Sequence, residues 1–281
     1  MKQTHCLGLC LLCLILARIE SKAQVDPEIL RQQGLQQFRT GNFTGAAELF
    51  KQAIELDPGN SNAHNELGVT YVRLGRLEES VASFQTAIGI SPGLVEARYN
   101  LGTQYFKLGK YGEAIHELTE TVRLEPGHAN AWNNLGVALA RVSHHRDAIN
   151  AYKSALQIRP ASTETLMLLS ISIFEVSPAD AIAPLKEAVR LDPYGADALN
   201  SLGVVYSKIG KAREAAQSFR QALAVRPDYP AAMYNLGAMS LAYKNRDVAM
   251  EQYSRLKTLD RELADRLYRG IHQGMILTLT R

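Results

Sequence analysis

Residues 129–162 read ANAWNNLGVALARVSHHRDAINAYKSALQIRPAS. Trp132, Leu135, Gly136 and Leu139 are followed by Ala148, Tyr152, Ala155 and Pro160. Apolar and small residues thus recur at i, i+3, i+4 and i+7, the stripe of an amphipathic helix, twice in succession. The small slots let two helix backbones approach closely, and the large slots fill the space between neighbouring pairs. Pro160 closes the unit because a proline disfavours helix in the residue before it. Stepping outward by 34 residues returns the same pattern. The Leu-Gly pair recurs as Leu67-Gly68, Leu101-Gly102, Leu202-Gly203 and Leu236-Gly237, and the closing proline as Pro58, Pro92, Pro126, Pro193 and Pro227. The first copy has Gln33-Gly34 and the fifth Leu169-Ser170 in place of Leu-Gly.

Trp-x2-Leu-Gly, then Ala-x3-aromatic, then Pro, repeated at this period, resembles the tetratricopeptide repeat family. The resemblance implies an all-α fold, a right-handed α-α solenoid of seven helix-turn-helix copies at 27–60, 61–94, 95–128, 129–162, 163–195, 196–229 and 230–263. One hairpin cannot bury its apolar face alone, so stability must come from stacking on its neighbours. A further helix over residues 262–273, with Leu263, Leu267, Tyr268 and Ile271 on one side, is expected to cap the open end. Residues 274–281 form an apolar, β-prone tail.

The N-terminal residues 1–23 read as an export signal. Lys2 gives a positive start, Cys6 to Ala17 an apolar stretch, and Ser21-Lys22-Ala23 a small-residue cleavage site. The stretch is too short for a spanning helix, so membrane association is expected only if the signal is retained. The expected location is the bacterial periplasm or the exterior, with a eukaryotic secretory route as the less favoured alternative. All three cysteines, Cys6, Cys10 and Cys13, lie in this segment, so the mature chain carries no disulfide and no thiolate site. The whole chain has a formal net charge of +3, and removal of Lys2, Arg18, Glu20 and Lys22 leaves it near neutral. That balance argues against nucleic acid as a partner.

Chemistry is sparsely signalled. No phosphate loop, dinucleotide fingerprint, zinc-protease helix or nucleophile elbow is present. His145-Arg146-Asp147 matches three letters of a kinase catalytic loop but falls at a turn between repeat helices, without the glycine-rich loop such chemistry needs. His144 and His145 are read as replacing the glycine–aromatic turn of other copies. No catalytic residue, metal, cofactor or small-molecule substrate is expected.

The resemblance places a binding groove on the first helix of each copy. The residues it assigns there are Asn65, Tyr99, Asn100, Phe106, Asn133, Asn134, Asn200, Tyr234 and Asn235. Asn100, Asn134 and Asn235 immediately precede the Leu-Gly pair, which resembles the asparagine ladder of the O-GlcNAc transferase superhelix. An amide suits a peptide backbone because it offers both donor and acceptor. Glu66, Leu168 and Ser201 interrupt the series. The carboxylate clamp of chaperone adaptors is missing: Val69, Val137 and Val204 stand where its second asparagine would be.

The fifth copy is one residue short, and its first helix is apolar nearly all round. Met167, Leu168, Ile171 and Phe174 exceed what the helix pair can enclose, which marks them as a groove hot spot or as a surface covered by the tail. Pro184 is expected to kink the second helix. The function read from these residues is an exported scaffold or adaptor that holds a protein or extended peptide in its concave groove, without catalysis. The alternative is an accessory subunit of an envelope assembly, secretion or polysaccharide-biosynthesis complex.

Overall fold

The computed structural model describes residues 26–273 and 279–280. The predicted signal (1–23) and residues 274–278 and 281 of the predicted tail lie outside the described residues. Among the described residues the secondary structure is helical, with no strand. The chain divides into two compact units, one ending at Leu124 and one beginning at Glu125.

Among the described residues the first unit holds three helical hairpins: α1 (Pro27–Arg39) with α2 (Phe43–Leu56), α3 (Ser61–Arg73) with α4 (Leu77–Ile90), and α5 (Val95–Lys107) with α6 (Tyr111–Leu124). The second unit holds four: α7 (Ala129–Arg141) with α8 (His145–Ile158), α9 (Thr163–Val176) with α10 (Ile182–Leu191), α11 (Ala196–Lys208) with α12 (Ala212–Val225), and α13 (Pro230–Ala242) with α14 (Arg246–Leu259). A last helix, α15 (Arg261–Gln273), packs on α13 and α14. This is the tandem-hairpin, all-α class that the periodicity predicts.

The motif residues do the packing. A Cβ placed on Gly34, Gly68, Gly136 or Gly203 would lie 2.5–2.8 Å from the ring of Phe50, Phe84, Tyr152 or Phe219, and on Gly102 it would meet Leu118 at 2.8 Å. Each second helix therefore lays its large residue directly against bare backbone of the first. Burial of these rings, together with Ala46, Ala114, Ala148 and Ala215, gives each hairpin its core. Helix starts are fixed locally: Asn42, Asn60, Ser162 and Asn245 each accept a hydrogen bond from a backbone N–H in the first turn.

The turn inside most hairpins needs one left-handed residue, supplied by Gly41, Gly75, Gly109 and Gly210. Ser143 (φ 62°) and Lys244 (φ 59°) occupy the same place in the fourth and seventh copies. A side chain there costs on the order of 1–2 kcal/mol. Ser143, rather than His144, therefore stands in for the turn glycine, and His145 opens α8 in the place held elsewhere by Phe43 or Tyr111.

Two expectations change in this unit and at its end, and one motif slot is filled from outside the repeats. Pro184 does not kink its helix. The shortened fifth copy closes α9 at extended Ser177, passes through a 3-10 turn at Pro178–Ala181, and starts α10 only at Ile182. Pro184 then sits in the first turn, where a missing N–H leaves no helical bond unmade. In the seventh copy Leu267 of α15, not Tyr253, fills the slot beside Gly237: a Cβ there would be 2.7 Å from Leu267 Cδ2. Tyr253 is displaced outward, its ring 5.5 Å from that of Tyr268, and Tyr268 is exposed rather than part of the buried stripe. The stripe that does bury consists of Ala264, Leu267 and Ile271.

Candidate peptide-binding faces of the first helices

The first helices of neighbouring copies carry a recurrent side-chain rung between residues 35 apart. In the first unit Asn100 Nδ2 donates to Asn65 Oδ1 at 3.1 Å. In the second unit Asn235 Nδ2 donates to Asn200 Oδ1 at 3.0 Å, with both residues fully buried. The spacing puts the residue just before Leu-Gly against the preceding copy's residue one place earlier in the motif. Glu66, which interrupts the asparagine series, makes the same rung as an ion pair with Arg31. Arg31 also holds Glu28 at 2.7 Å, and this guanidinium keeps the Glu28 carboxyl well below the usual range. Glu66 moves the opposite way: burial pushes its carboxyl up against the pull of Arg31.

Where the rung is lost, a cavity opens. Ser201 and the residue 34 earlier, Met167, cannot pair. Between α9 and α11 lies a mainly apolar cavity of ≈ 220 Å³ lined by Met167, Ile171, Phe174, Leu185, Val204 and Tyr229, among others. Asp197 at its edge accepts two bonds from Arg226, at 3.1 and 3.2 Å. These bonds, helped by Tyr229, hold its carboxyl low, and burial followed by the nearby carboxylate pushes the Tyr229 phenol up. With Asp197 already paired, the cavity suits an apolar side chain better than a cation.

The predicted residues divide as follows. Met167, Ile171 and Phe174 do come together, and all three line the cavity. Leu168 is half-buried and is not among the lining residues. Phe106 is half-buried and leans on Tyr111 of its own hairpin, ring centroids 5.4 Å apart, and Tyr99 is also half-buried. Asn133 accepts a bond from the Thr165 hydroxyl at 3.1 Å, and Asn134 is half-buried beside it. Tyr234 is not available on a face: it is fully buried in the apolar cluster of the second unit, with the Arg266 guanidinium of α15 4.7 Å from its ring centre. Asn200 and Asn235 are likewise shielded from solvent.

Asn235 is enclosed by the chain itself. Its Oδ1 accepts the Thr280 backbone N–H at 2.6 Å, and its Nδ2 donates to the Thr280 carbonyl. The Thr280 hydroxyl adds a third bond at 3.1 Å, and Leu279 packs on the apolar cluster of the second unit. One amide thus pairs with both main-chain polar groups of a single residue while its second N–H holds Asn200. Among the described residues, no three His, Cys, Asp or Glu side chains gather as a metal site, and no helix is long and apolar enough to cross a membrane.

A family model described as tetratricopeptide repeat matches residues 31–95, 99–163 and 200–264, more than half of the chain. The chain belongs to the tetratricopeptide repeat family. The stretch the model passes over, 164–199, contains nearly all of the irregular fifth copy. No curated protein matches. Among solved structures the chain is similar to YrrB, described as a TPR protein with an unusual peptide-binding site (21% identity, 67% of this chain and 97% of that one, TM-score 0.62). It is similar to a tetratricopeptide repeat protein from Parabacteroides merdae ATCC 43184 (16% identity, 86% and 97%, TM-score 0.62). It is also similar to MamA (24% identity, 61% and 94%, TM-score 0.57). At these identities the likeness is one of fold.

Proposed function

We propose that this chain is an exported scaffold that holds an extended peptide or protein segment on the first-helix faces, by binding rather than by catalysis. The observation that carries the reading is the main-chain grip of Asn235: a rung asparagine pairs with both the N–H and the carbonyl of a single residue. Asn100 forms the same rung with Asn65, which supports an equivalent reader in the first unit. The peptide-binding site ascribed to YrrB supports the general mode. A main-chain reader tolerates many sequences, and the neighbouring cavity with Phe174 adds selectivity for an apolar side chain.

The test is capture of partners from the source organism by crosslinking, followed by point variants. Asn100→Ala combined with Asn134→Ala should weaken capture by about tenfold, the effect of losing one to two net hydrogen bonds. Lys153→Ala, exposed on α8, should leave it unchanged. Glu117 is unsuited to that control because it pairs with Arg98 at 2.7 Å. Equal effects of both changes would move binding off the first helices and favour the accessory-subunit alternative. Export is proposed from the Ser21-Lys22-Ala23 site, and mass spectrometry of the native protein should find Gln24 as the first residue. An intact N-terminus on the native protein would overturn export.

A further inference from the structure

We infer that the segment around Leu279-Thr280 is a resident ligand of the α11–α13 face, and that the partner of this face is an extended peptide with an apolar residue followed by Ser or Thr. The inference rests on the groove reading above and names the ligand class and its control. Three observations on this chain lead to it. The contact to Thr280 uses both main-chain polar groups, which is how an extended strand is recognised by a side-chain amide. Leu279, the residue before it, packs on the apolar cluster formed by α11 and its neighbours, so one side chain is read beside the backbone. The Thr280 hydroxyl donates to the same Asn235 oxygen, which gives Ser or Thr a bond that other residues lack.

The occupancy also has a regulatory consequence. Thr280 is tethered a few residues beyond Gln273, the end of α15. A short tether gives an effective concentration on the order of millimolar. An outside peptide of the same affinity, added at micromolar concentration, cannot displace such a segment. It binds when the tail is withdrawn, or when its own contacts extend further along the first helices. The α11–α13 face is therefore closed at rest, and its opening is tied to release of the tail.

The experiment uses a fluorescent peptide of residues 274–281 (GMILTLTR) and two proteins: the chain from Gln24, and the same chain lacking residues 274–281. Fluorescence polarisation should show saturable binding to the shortened chain and at least tenfold weaker binding to the full one. A peptide with Thr280→Pro, which lacks the N–H, and one with Leu279→Asp should each bind the shortened chain at least tenfold more weakly. Both changes are in the probe, so the fold of the protein is not at issue. Asn235→Ala in the shortened chain should have the same effect.

Circular dichroism checks that the shortened chain is folded. Should it not fold, the full-length Leu279→Asp, Thr280→Pro double variant replaces it with the same expectations. Equal binding to the full and opened proteins, or no binding to a folded opened protein, overturns the inference. Partner capture that depends on Asn100 and Asn134, alongside failure of the peptide, would sink this inference alone and leave the groove reading intact. Peptide binding as expected, with capture insensitive to Asn100 and Asn134, would confine the groove reading to the α11–α13 face.

Discussion

Gly136→Leu should lower the urea midpoint of the protein by an amount equivalent to about 1–3 kcal/mol or slightly more. The reason is geometric. A Cβ alone on Gly136 would stand 2.6 Å from Tyr152 Cε1 and 2.9 Å from Cζ, closer than carbon atoms tolerate. Tyr152 is only 1% exposed and cannot swing aside without opening the α7–α8 contact. Leucine adds three further carbons to that same space. Burial raises the Tyr152 phenol pKa, so the ring stays neutral and charge offers no route out of the core at ordinary pH. Gly112→Leu is the matched control, because nothing lies within 4 Å of a Cβ at that position. It should be neutral or slightly stabilising, since glycine is a poor helix former. If the two variants melt alike, the assigned helix register is wrong.

That contrast shows why the fold was legible in the sequence. Small residues facing large ones at fixed spacing leave a one-dimensional trace: Gly68 with Phe84, Gly136 with Tyr152, Gly203 with Phe219. Neighbour-to-neighbour stacking needs no long-range pairing to be guessed. Legibility failed where a copy departed from the period. Pro184 looks like a kink only in a second helix that begins well before it; the 3-10 turn at Pro178–Ala181 moves the helix start to Ile182. Tyr253 occupied the motif's aromatic place in sequence but lost it to Leu267, a residue from outside the repeat.

The binding faces were legible in part. Asparagines before Leu-Gly pointed to Asn100 and Asn235, but sequence could not show that each bonds its counterpart one copy back. The 35-residue separation of that rung hides beside the 34-residue repeat. It also converts an apparent break into a variant: Glu66 pairs with Arg31 and preserves the contact as an ion pair. Of the apolar excess on the first helix of the fifth copy, Met167, Ile171 and Phe174 line a cavity that depends on Val204 and Tyr229 from a neighbouring copy, and Leu168 does not. Tyr234 is enclosed in the apolar cluster of the second unit and is also met by Arg266, on a helix that obeys no repeat.

Leu267→Ala should cost about 2–5 kcal/mol, the range for a buried leucine whose cavity cannot fully collapse. Leu267 is fully buried, and it stands against Gly237 where the earlier copies use a residue of their own second helix. The terminal hairpin therefore depends on α15 for a contact that internal hairpins supply themselves. Truncation would remove the methyl groups touching bare α13 backbone, and glycine has no side chain with which to refill the space. Leu256, also fully buried, and Ile271 would lose packing in turn. Because repeat arrays are stabilised by nearest-neighbour interfaces, the loss should concentrate at the C-terminal end. Hydrogen exchange should show early loss of protection in α13, α14 and α15, with α7 and α8 much less affected. Arg269→Ala, exposed on the same helix, should change neither reading. An unchanged midpoint for Leu267→Ala, or loss of protection spread evenly over α7 to α15, would mean that α15 is not the cap of this end.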